Sequence, residues 1–140
     1  MNQLKLWISI LGVALCAPIH AAYQWEVVRV IDGDTIVVRA PWLLPELGDT
    51  ISIRAAGIDT PERGNFAKCE YEQQLAQQAS NLTKSLIQPG SVVTVEIRGR
   101  DKYFRVLGDI QIGANNLAQI LITAKLAVPY HGQTKQSWCP

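Results

Sequence analysis

Stretches in which apolar and polar residues alternate recur along the chain beyond its N-terminal segment. In residues 50–57, Ile51, Ile53 and Ala55 alternate with polar neighbours, and residues 91–98 repeat the pattern. A period of two residues predicts a strand with one buried face. With the Val-rich runs added, the pattern predicts five short strands, at residues 25–31, 35–40, 50–57, 91–98 and 104–110.

A helical period marks two other segments. Apolar residues three and four apart predict a helix at residues 69–87, which Pro89 and Gly90 end, and a second helix is predicted at residues 116–125. Asp32-Gly33 predicts a tight hairpin turn between the first two strands. The apolar stripe of the first helix is formed by Tyr71, Leu75, Ala79, Leu82 and Leu86.

Five strands with a helix between the third and fourth predict a mainly β fold with added helices. The architecture that fits is a five-stranded Greek-key barrel of the OB type plus two helices. Barrels of this type bind oligonucleotides on one face, but a fold does not fix a function, so function has to be argued from the site.

The first 22 residues have the pattern of a secretory signal peptide. Lys5 precedes an apolar run over residues 6–17, and the small residues Ala21 and Ala22 follow. The run is too short for a membrane span. We therefore expect residues 23–140 to form one mature domain, exported to a periplasm or secreted, without a membrane span. A permanent N-terminal anchor and a lipid on Cys16 remain as alternatives.

The charge and the cysteine content of the chain after this segment restrict its possible functions. The whole chain has a formal net charge of +1, and loss of Lys5 leaves a neutral domain, which excludes a strongly basic protein that coats nucleic acid. Of the 3 cysteines, Cys69 and Cys139 remain. In an exported chain, a pair of cysteines favours one disulfide, with two free thiols as the alternative. Zinc binding is disfavoured, because His131 would be the sole histidine left.

Acidic residues recur at the predicted strand ends. Asp34 opens a strand directly after a tight turn, and Asp59 opens the loop after the third strand. Hard cations such as calcium take oxygen ligands from separate segments, and the carbonyl of Thr60 could add a further one. Taken alone, Asp34 is better explained by turn chemistry, and Asp59 is explained equally well by a capped loop.

Two arginines and a glutamate strengthen the functional interpretation. Arg54 lies within the third strand, and Arg105 lies at the start of the fifth. A pair of guanidinium groups directed at one phosphate would stabilise the transition state of phosphodiester cleavage, and Glu62 lies where it could activate water. The alternatives are an outward-facing strand residue for Arg54 and a solvated turn of mixed charge for Arg105.

These segments, in this order, resemble the thermonuclease family of staphylococcal-nuclease-like proteins. The resemblance rests on Asp32-Gly33-Asp34-Thr35, on Arg54 with Asp59-Thr60-Pro61-Glu62, and on the Asp-Lys-Tyr-x-Arg motif at 101–105, and it covers roughly residues 25–130. The family is known for OB-type barrels that cleave DNA and RNA with calcium and leave 3′-phosphate ends.

The resemblance implies a role for each matching residue. Asp34, Asp59 and the Thr60 carbonyl would bind Ca²⁺, and Glu62 would act as the general base or order the attacking water. Arg54 and Arg105 would grip the scissile phosphate, with Arg105 also assisting the leaving group. Lys102 and Tyr103 would contact the nucleotide. The chain departs from the family at Phe104, where glycine is usual, and in ending with a short tail instead of a third helix.

The sequence therefore predicts an exported, calcium-dependent nuclease that acts on DNA and RNA, with no stable protein partner implied. One alternative is a non-catalytic oligonucleotide-binding barrel, which should have lost one of the residues Asp34, Arg54, Asp59, Glu62 and Arg105. All of them are present. A structural domain in envelope assembly, the other alternative, would explain export but not these polar residues.

Overall fold

Strands dominate the computed structural model, which describes residues 21–41, 46 and 48–140. Its elements in this part of the chain are β1 (Ala22–Val30), β2 (Thr35–Arg39), β3 (Thr50–Ala55), β4 (Ile58–Asp59), α1 (Glu70–Leu86), β5 (Val92–Arg100), β6 (Val106–Ile112), β7 (Asn115–Asn116), α2 (Leu117–Thr123) and β8 (Val128–Pro129). The predicted signal peptide falls on residues that lie almost wholly outside this description, as does most of the loop between β2 and β3. Within the described residues, neither helix has the length and hydropathy of a membrane-spanning segment.

The main sheet closes on itself. Antiparallel pairing runs in the order β3-β2-β1-β5-β6, and β3 then pairs with β6 in parallel, with Arg54 opposite Leu107. Within the described residues this makes a closed barrel of five strands with two helices, as predicted for the OB type. β7 extends the β6 edge, while β4 and β8 form a small separate ladder in which Asp59 faces Val128.

Alternating side chains fill the barrel interior. Of the strand positions predicted to face inward, Ile53, Ala55, Val93 and Val95 are buried, and Ile51 and Ile97 are partly buried against the core. The largest buried side chains include Trp25, Ile36 and Ile53. Gly108 on β6 permits close packing there, because a Cβ atom at this position would lie 2.7 Å from the Val95 side chain. The core therefore rests on the period-two pattern of the strands.

Helix α1 packs on the barrel through a face that overlaps the predicted stripe in part. Ala79, at the centre of the stripe, is buried, and Leu75 and Leu82 are partly buried against the core, whereas Tyr71 and Leu86 at its ends are exposed. The helix lies so close to the turn after β1 that a Cβ atom on Gly33 would be 2.6 Å from the Cβ of Ala79. Small side chains are required at such a contact, so the most buried positions of the helix are Ala79 and its neighbours, including Ala76 and Thr83.

Several predicted boundaries are corrected by the turns. The β1–β2 connection spans residues 31–34 instead of the two residues Asp32-Gly33, because the Ile31 N–H already bonds the Thr35 carbonyl at 2.9 Å.

The third strand ends at Ala55, since Gly57 turns the chain with φ +75° before β4. β6 begins at Val106 and not at Phe104, which has a φ of 62° that no strand accommodates. α2 is shorter than predicted, because Asn116 caps it and Lys125, with φ 60°, follows its end.

Candidate active site

Asp34 is the most enclosed acid of the site. It precedes β2 and is 1% exposed. Its Oδ1 accepts a hydrogen bond from the Thr35 hydroxyl at 2.8 Å, and its Oδ2 accepts one from the Thr60 hydroxyl at 2.8 Å. Arg54 Nη2 lies 3.0 Å from the same Oδ2. These contacts fix the carboxylate in one orientation, as a preorganised ligand or clamp requires.

The fold itself places Asp34 there. The Ala55 N–H bonds the Asp34 carbonyl at 2.7 Å, and the Thr83 hydroxyl of α1 donates to the Gly33 carbonyl at 2.6 Å. The turn is thus held from the barrel on one side and from the helix on the other. Gly33 serves this close approach of the helix.

Asp32 lies beside Asp34 and adds to the negative charge. Burial, and next the charge of Asp34, raise the pKa of Asp32 to about 6. A buried and a partly buried carboxylate that repel each other are the electrostatic setting in which a bound cation is favourable.

Asp59 and Glu62 lie on the segment after β3 and share a cation from the C-terminal tail. Asp59 is 2% exposed. Lys135 Nζ lies 2.6 Å from Asp59 Oδ1 and 3.3 Å from Glu62 Oε1. Burial alone would lower the pKa of Lys135, but the hydrogen bonds and charges of its two partners outweigh that effect and raise it. The lysine is therefore an ammonium ion in the site at neutral pH.

Glu72 holds the loop that carries Glu62. This carboxylate of α1 is 3% exposed and accepts hydrogen bonds from the backbone N–H groups of Glu62 at 3.1 Å and Lys68 at 2.8 Å. Its own N–H bonds the Cys69 sulfur, the cap of the helix, at 3.4 Å. The spacing is that of a capping box, but the carboxylate accepts from the residue before the cap, Lys68, and from Glu62 instead of from the cap itself. It joins the first turn of α1 to the loop at Glu62.

The turn at residues 101–105 carries the other arginine. Asp101 Oδ1 accepts bonds from the N–H groups of Tyr103 at 2.8 Å and Arg105 at 3.0 Å, and its Oδ2 lies 2.6 Å from Arg105 Nε. Phe104 lies between them in the left-handed conformation and donates its N–H to the Asp101 carbonyl at 2.9 Å. The turn thus needs at this position the conformation that glycine adopts without strain.

A single cleft of about 670 Å³ brings the predicted catalytic residues together. Arg54, Glu62 and Arg105 all line it, as do Lys102 and Tyr103. The parallel pairing of β3 with β6 explains the meeting of the arginines, because Arg54 faces Leu107, two residues after Arg105. Tyr130, His131 and Lys135 of the tail form another part of the wall. The roles assigned to these side chains from sequence stay predictions.

The donor set fits a hard divalent cation. Asp32, Asp34 and Asp59 are acidic oxygen donors, and Asp34 and Asp59 are almost fully buried. Within the described part of the chain, no group of three or more His, Cys, Asp or Glu side chains is arranged to hold one ion. A site here would thus combine a few carboxylates with other oxygens. Thr60 meets Asp34 through its hydroxyl, so its predicted carbonyl contact stays a prediction.

A disulfide joins Cys69, at the start of α1, to Cys139 near the chain end. It holds the tail over the segment with Asp59 and Glu62. Trp138, next to the disulfide, is partly buried and lines a smaller pocket with Asp59 and Glu72.

Sequence reasoning assigned no role to several residues that the structure places at the site. Glu72 could have been found, since it follows the capping Cys69 by three residues, the spacing of a capping box. Asp101 was part of a recognised motif without a role of its own. Lys135 gives no local signal, because it lies 73 residues from Glu62 along the chain.

The chain is similar in sequence to a known protein family and to proteins named as endonucleases. The model of the staphylococcal nuclease homologue family matches residues 52–138. An uncharacterized endonuclease of Escherichia coli is 34% identical over 117 residues, which are 83% of this chain and 64% of that protein. Endonuclease YhcR of Bacillus subtilis is 32% identical over 63% of this chain and 7% of its own length. Endonuclease Htp3 of Saprolegnia parasitica is 34% identical over 64% of this chain and 45% of its own.

The match spans less than two thirds of each of these relatives, whereas the family model covers more than half of this chain. The matched residues contain Arg54, Asp59, Glu62 and Arg105. Arg54, Glu62 and Arg105 line the cleft, and Asp59 lines a neighbouring pocket that Glu62 also lines. The chain therefore belongs to the staphylococcal nuclease homologue family.

Proposed function

We propose that the protein is a nuclease that hydrolyses phosphodiester bonds. The observation that carries this proposal is the meeting of Arg54, Glu62 and Arg105 in one cleft, beside the buried carboxylates Asp34 and Asp59. The names of the relatives, which are endonucleases, agree with it. A barrel that merely binds oligonucleotides would need the basic side chains of the cleft but not the buried acids.

Each side chain has a task that its position permits. Glu62, with a half-exposed carboxylate, takes a proton from the attacking water. The oxygen of that water bonds to phosphorus while the P–O5′ bond breaks, and the departing O5′ takes a proton from solvent, which leaves a 3′-phosphate and a 5′-hydroxyl. Arg54 and Arg105 hold the phosphoryl oxygens and stabilise the charge that they gain, and Arg105 also assists the departing oxygen.

Ca²⁺ is the proposed cofactor, with Asp34, Asp59 and Thr60 as the residues that hold it. A bound Ca²⁺ would supply Lewis-acid stabilisation of the phosphoryl oxygens. Calcium is favoured over magnesium because the carboxylates come from separate turns and an irregular oxygen cage suits the larger ion. Asp32 supports the site by adding negative charge behind Asp34.

DNA and RNA are the proposed substrates. Lys102 and Tyr103 lie on the wall of the cleft that Arg105 shares, and the Tyr103 ring is 67% exposed, as a surface for stacking on a base would be. Lys102 Nζ lies 5.0 Å from the centre of that ring and could reach a phosphate of the same nucleotide.

Export to a periplasm or to the medium is part of the proposal. It rests on the signal-peptide pattern of residues 1–22 and on the Cys69–Cys139 disulfide, which is stable in oxidising compartments. The mass of the recovered protein tests this, since a chain that begins near Ala22 or Tyr23 is expected, and a mass that retains Lys5 or a lipid on Cys16 would contradict it.

Digestion of plasmid DNA and of RNA by the purified exported protein tests the activity. We expect cleavage in millimolar calcium, poor cleavage in magnesium and none with excess chelator. The 5′ ends of the cleavage products should accept a label without prior treatment. Their 3′ ends should be extended by a polymerase only after phosphatase treatment. Glu62→Gln, which removes the base, and Lys84→Met, a change on the exposed side of α1, are the matched variants. Equal cleavage with calcium and with chelator would contradict the metal assignment, and tight DNA binding without cleavage would favour the binding module.

A further inference from the structure

Lys135 reaches the candidate active site from the far end of the chain. Its ammonium group contacts both Asp59 and Glu62, at 2.6 Å and 3.3 Å. Among the described residues, it is the ion-pair partner of the Glu62 carboxylate. The backbone of Glu62 is held by Glu72, but its side chain is 48% exposed, and in the described structure Lys135 is the group that directs it.

The fold fixes the segment that carries this lysine at both ends. At one end β8 pairs with β4, so that Val128 faces Asp59, and the Tyr130 N–H bonds the Gly57 carbonyl at 2.8 Å. At the other end Cys139 is bonded to Cys69, directly before the helix that holds the Glu62 loop. Between these ends, Gln133 bonds the Pro129 carbonyl at 3.0 Å and the His131 N–H at 2.6 Å. The ammonium position thus follows from a tethered segment.

A contribution to fold stability does not account well for the contact with Glu62. Lys135 and Glu62 are 45% and 48% exposed, and ion pairs of such exposure contribute little to the stability of a fold. What the contact does achieve is orientation. An exposed glutamate samples several rotamers, and a base that must meet water beside a clamped phosphate gains from being held in one of them.

We propose that Lys135 is a positioning residue that holds the Glu62 carboxylate beside Asp59, and that the disulfide-tethered tail delivers it there. The proposal deepens the nuclease function above and rests on it where turnover is concerned. The contact itself can be tested without substrate or metal, so a failure of the contact and a failure of the function are distinguishable.

NMR of the metal-free protein tests the contact. The ¹⁵N signal of a lysine ammonium group becomes visible when an ion pair protects it from exchange with water. We expect such a signal, absent in Lys135→Arg, and broadened beyond detection in Glu62→Gln or Cys139→Ser. Absence of any lysine-specific signal, or a signal that is unchanged in both Glu62→Gln and Cys139→Ser, would overturn the proposal.

Steady-state kinetics test the role. In Lys135→Met we expect kcat to fall about 10-fold to 100-fold with KM little changed, the effect of a misplaced catalytic group. Lys135→Arg, which can still reach both carboxylates, should recover most of the loss, and Cys139→Ser should show a smaller loss of the same kind. Lys84→Met is the matched control for removal of one positive charge. Lys135→Met also removes the ion-pair partner of buried Asp59, which lowers stability. Rates are therefore compared well below the melting temperature of each variant.

The competing role is that of an internal cation that occupies the place of the metal. In that case Lys135→Met would raise the affinity for calcium, measured by calorimetry, and would increase kcat at low calcium. That result, or a kcat in Lys135→Met equal to the wild-type value, would overturn the proposal. If the wild-type protein cleaves nothing, the nuclease assignment fails, while the NMR result still decides whether Lys135 holds Glu62.

Discussion

Arg54 and Arg105 line the same cleft but are held in different ways. Arg54 extends from barrel strand β3, its side chain is 16% exposed, and it meets an Asp34 carboxylate that is buried. Arg105 belongs to the turn before β6, its side chain is 43% exposed, and it meets Asp101 four residues back in the same turn. The barrel thus supplies a charge fixed by its core, and the turn supplies a charge fixed by local contacts. Equal importance for catalysis need not mean equal importance for folding.

The largest expected effect is common to both arginines. Arg54→Ala and Arg105→Ala are each expected to lower kcat by about 10²-fold to 10³-fold, because each removes a donor that stabilises charge developing in the transition state. Lysine should replace either arginine poorly, since it lacks the planar fork. Arg98→Ala is the control, because the Arg98 side chain is 42% exposed and pairs with Asp109 on the barrel surface. Wild-type turnover in both alanine variants at the cleft would refute the phosphate clamp.

Arg54→Ala and Arg105→Ala should differ in their free energy of unfolding. Arg54→Ala leaves the buried Asp34 carboxylate without its charged partner, and we expect a loss of about 1 to 3 kcal/mol in the free energy of unfolding. Arg105→Ala and Arg98→Ala remove pairs whose arginine side chain is well exposed and should change it much less. Urea titration followed by circular dichroism gives these values. Equal losses for Arg54→Ala and Arg105→Ala would show that the turn is as much a part of the folding unit as the barrel.

The two regions also differ in how far the sequence predicted them. The barrel was predictable because period-two burial is a local pattern, and Asp34 and Arg54 lie near the ends of its strands. Contacts between segments that are distant in the sequence were not predictable. The face of helix α1 was predicted only in part, because the contact of Gly33 with Ala79 cannot be seen in a helical period. The role of Lys135 depends on a tail that only the folded chain brings to Asp59.

Backbone conformation offers a finer comparison of the turn with the barrel. Phe104 and Lys125 both adopt left-handed angles, with φ of 62° and 60°, the first beside Arg105 and the second after α2. Glycine relieves this strain but gives more freedom to the unfolded chain, so Phe104→Gly and Lys125→Gly are each expected to gain about 0.5 to 1 kcal/mol of stability. Urea midpoints measure the gain. A gain at Lys125 with a loss at Phe104 would mean that the exposed Phe104 ring packs on the turn and stabilises it.

The smallest expected effect is a pH dependence confined to the turn. Burial raises the pKa of Asp101, but the hydrogen bonds from the Arg105 side chain, from the backbone of Arg105 and from that of Tyr103 together outweigh it, and the pKa lies below its usual range. A carboxylate with a lowered pKa stabilises the folded turn above the ordinary value of about 3.9. That stabilisation is lost as the pH falls through the lowered value.

Amide NMR signals between about pH 6 and pH 2 give the measurement, and the ordinary carboxyl pKa marks where the change should begin. Asp101 Oδ1 accepts hydrogen bonds from the Tyr103 and Arg105 N–H groups, so the signals of these two groups should shift together below that pH. The Val95 amide of the barrel core serves as the internal reference for global acid unfolding. In Asp101→Asn the side chain cannot titrate, so the two turn signals should lose this step while the barrel signal behaves as before. A step that persists in Asp101→Asn would place the titrating group elsewhere. It would also show that the turn does not owe its order to Asp101, and the contrast between a barrel-held and a turn-held arginine would then need another basis.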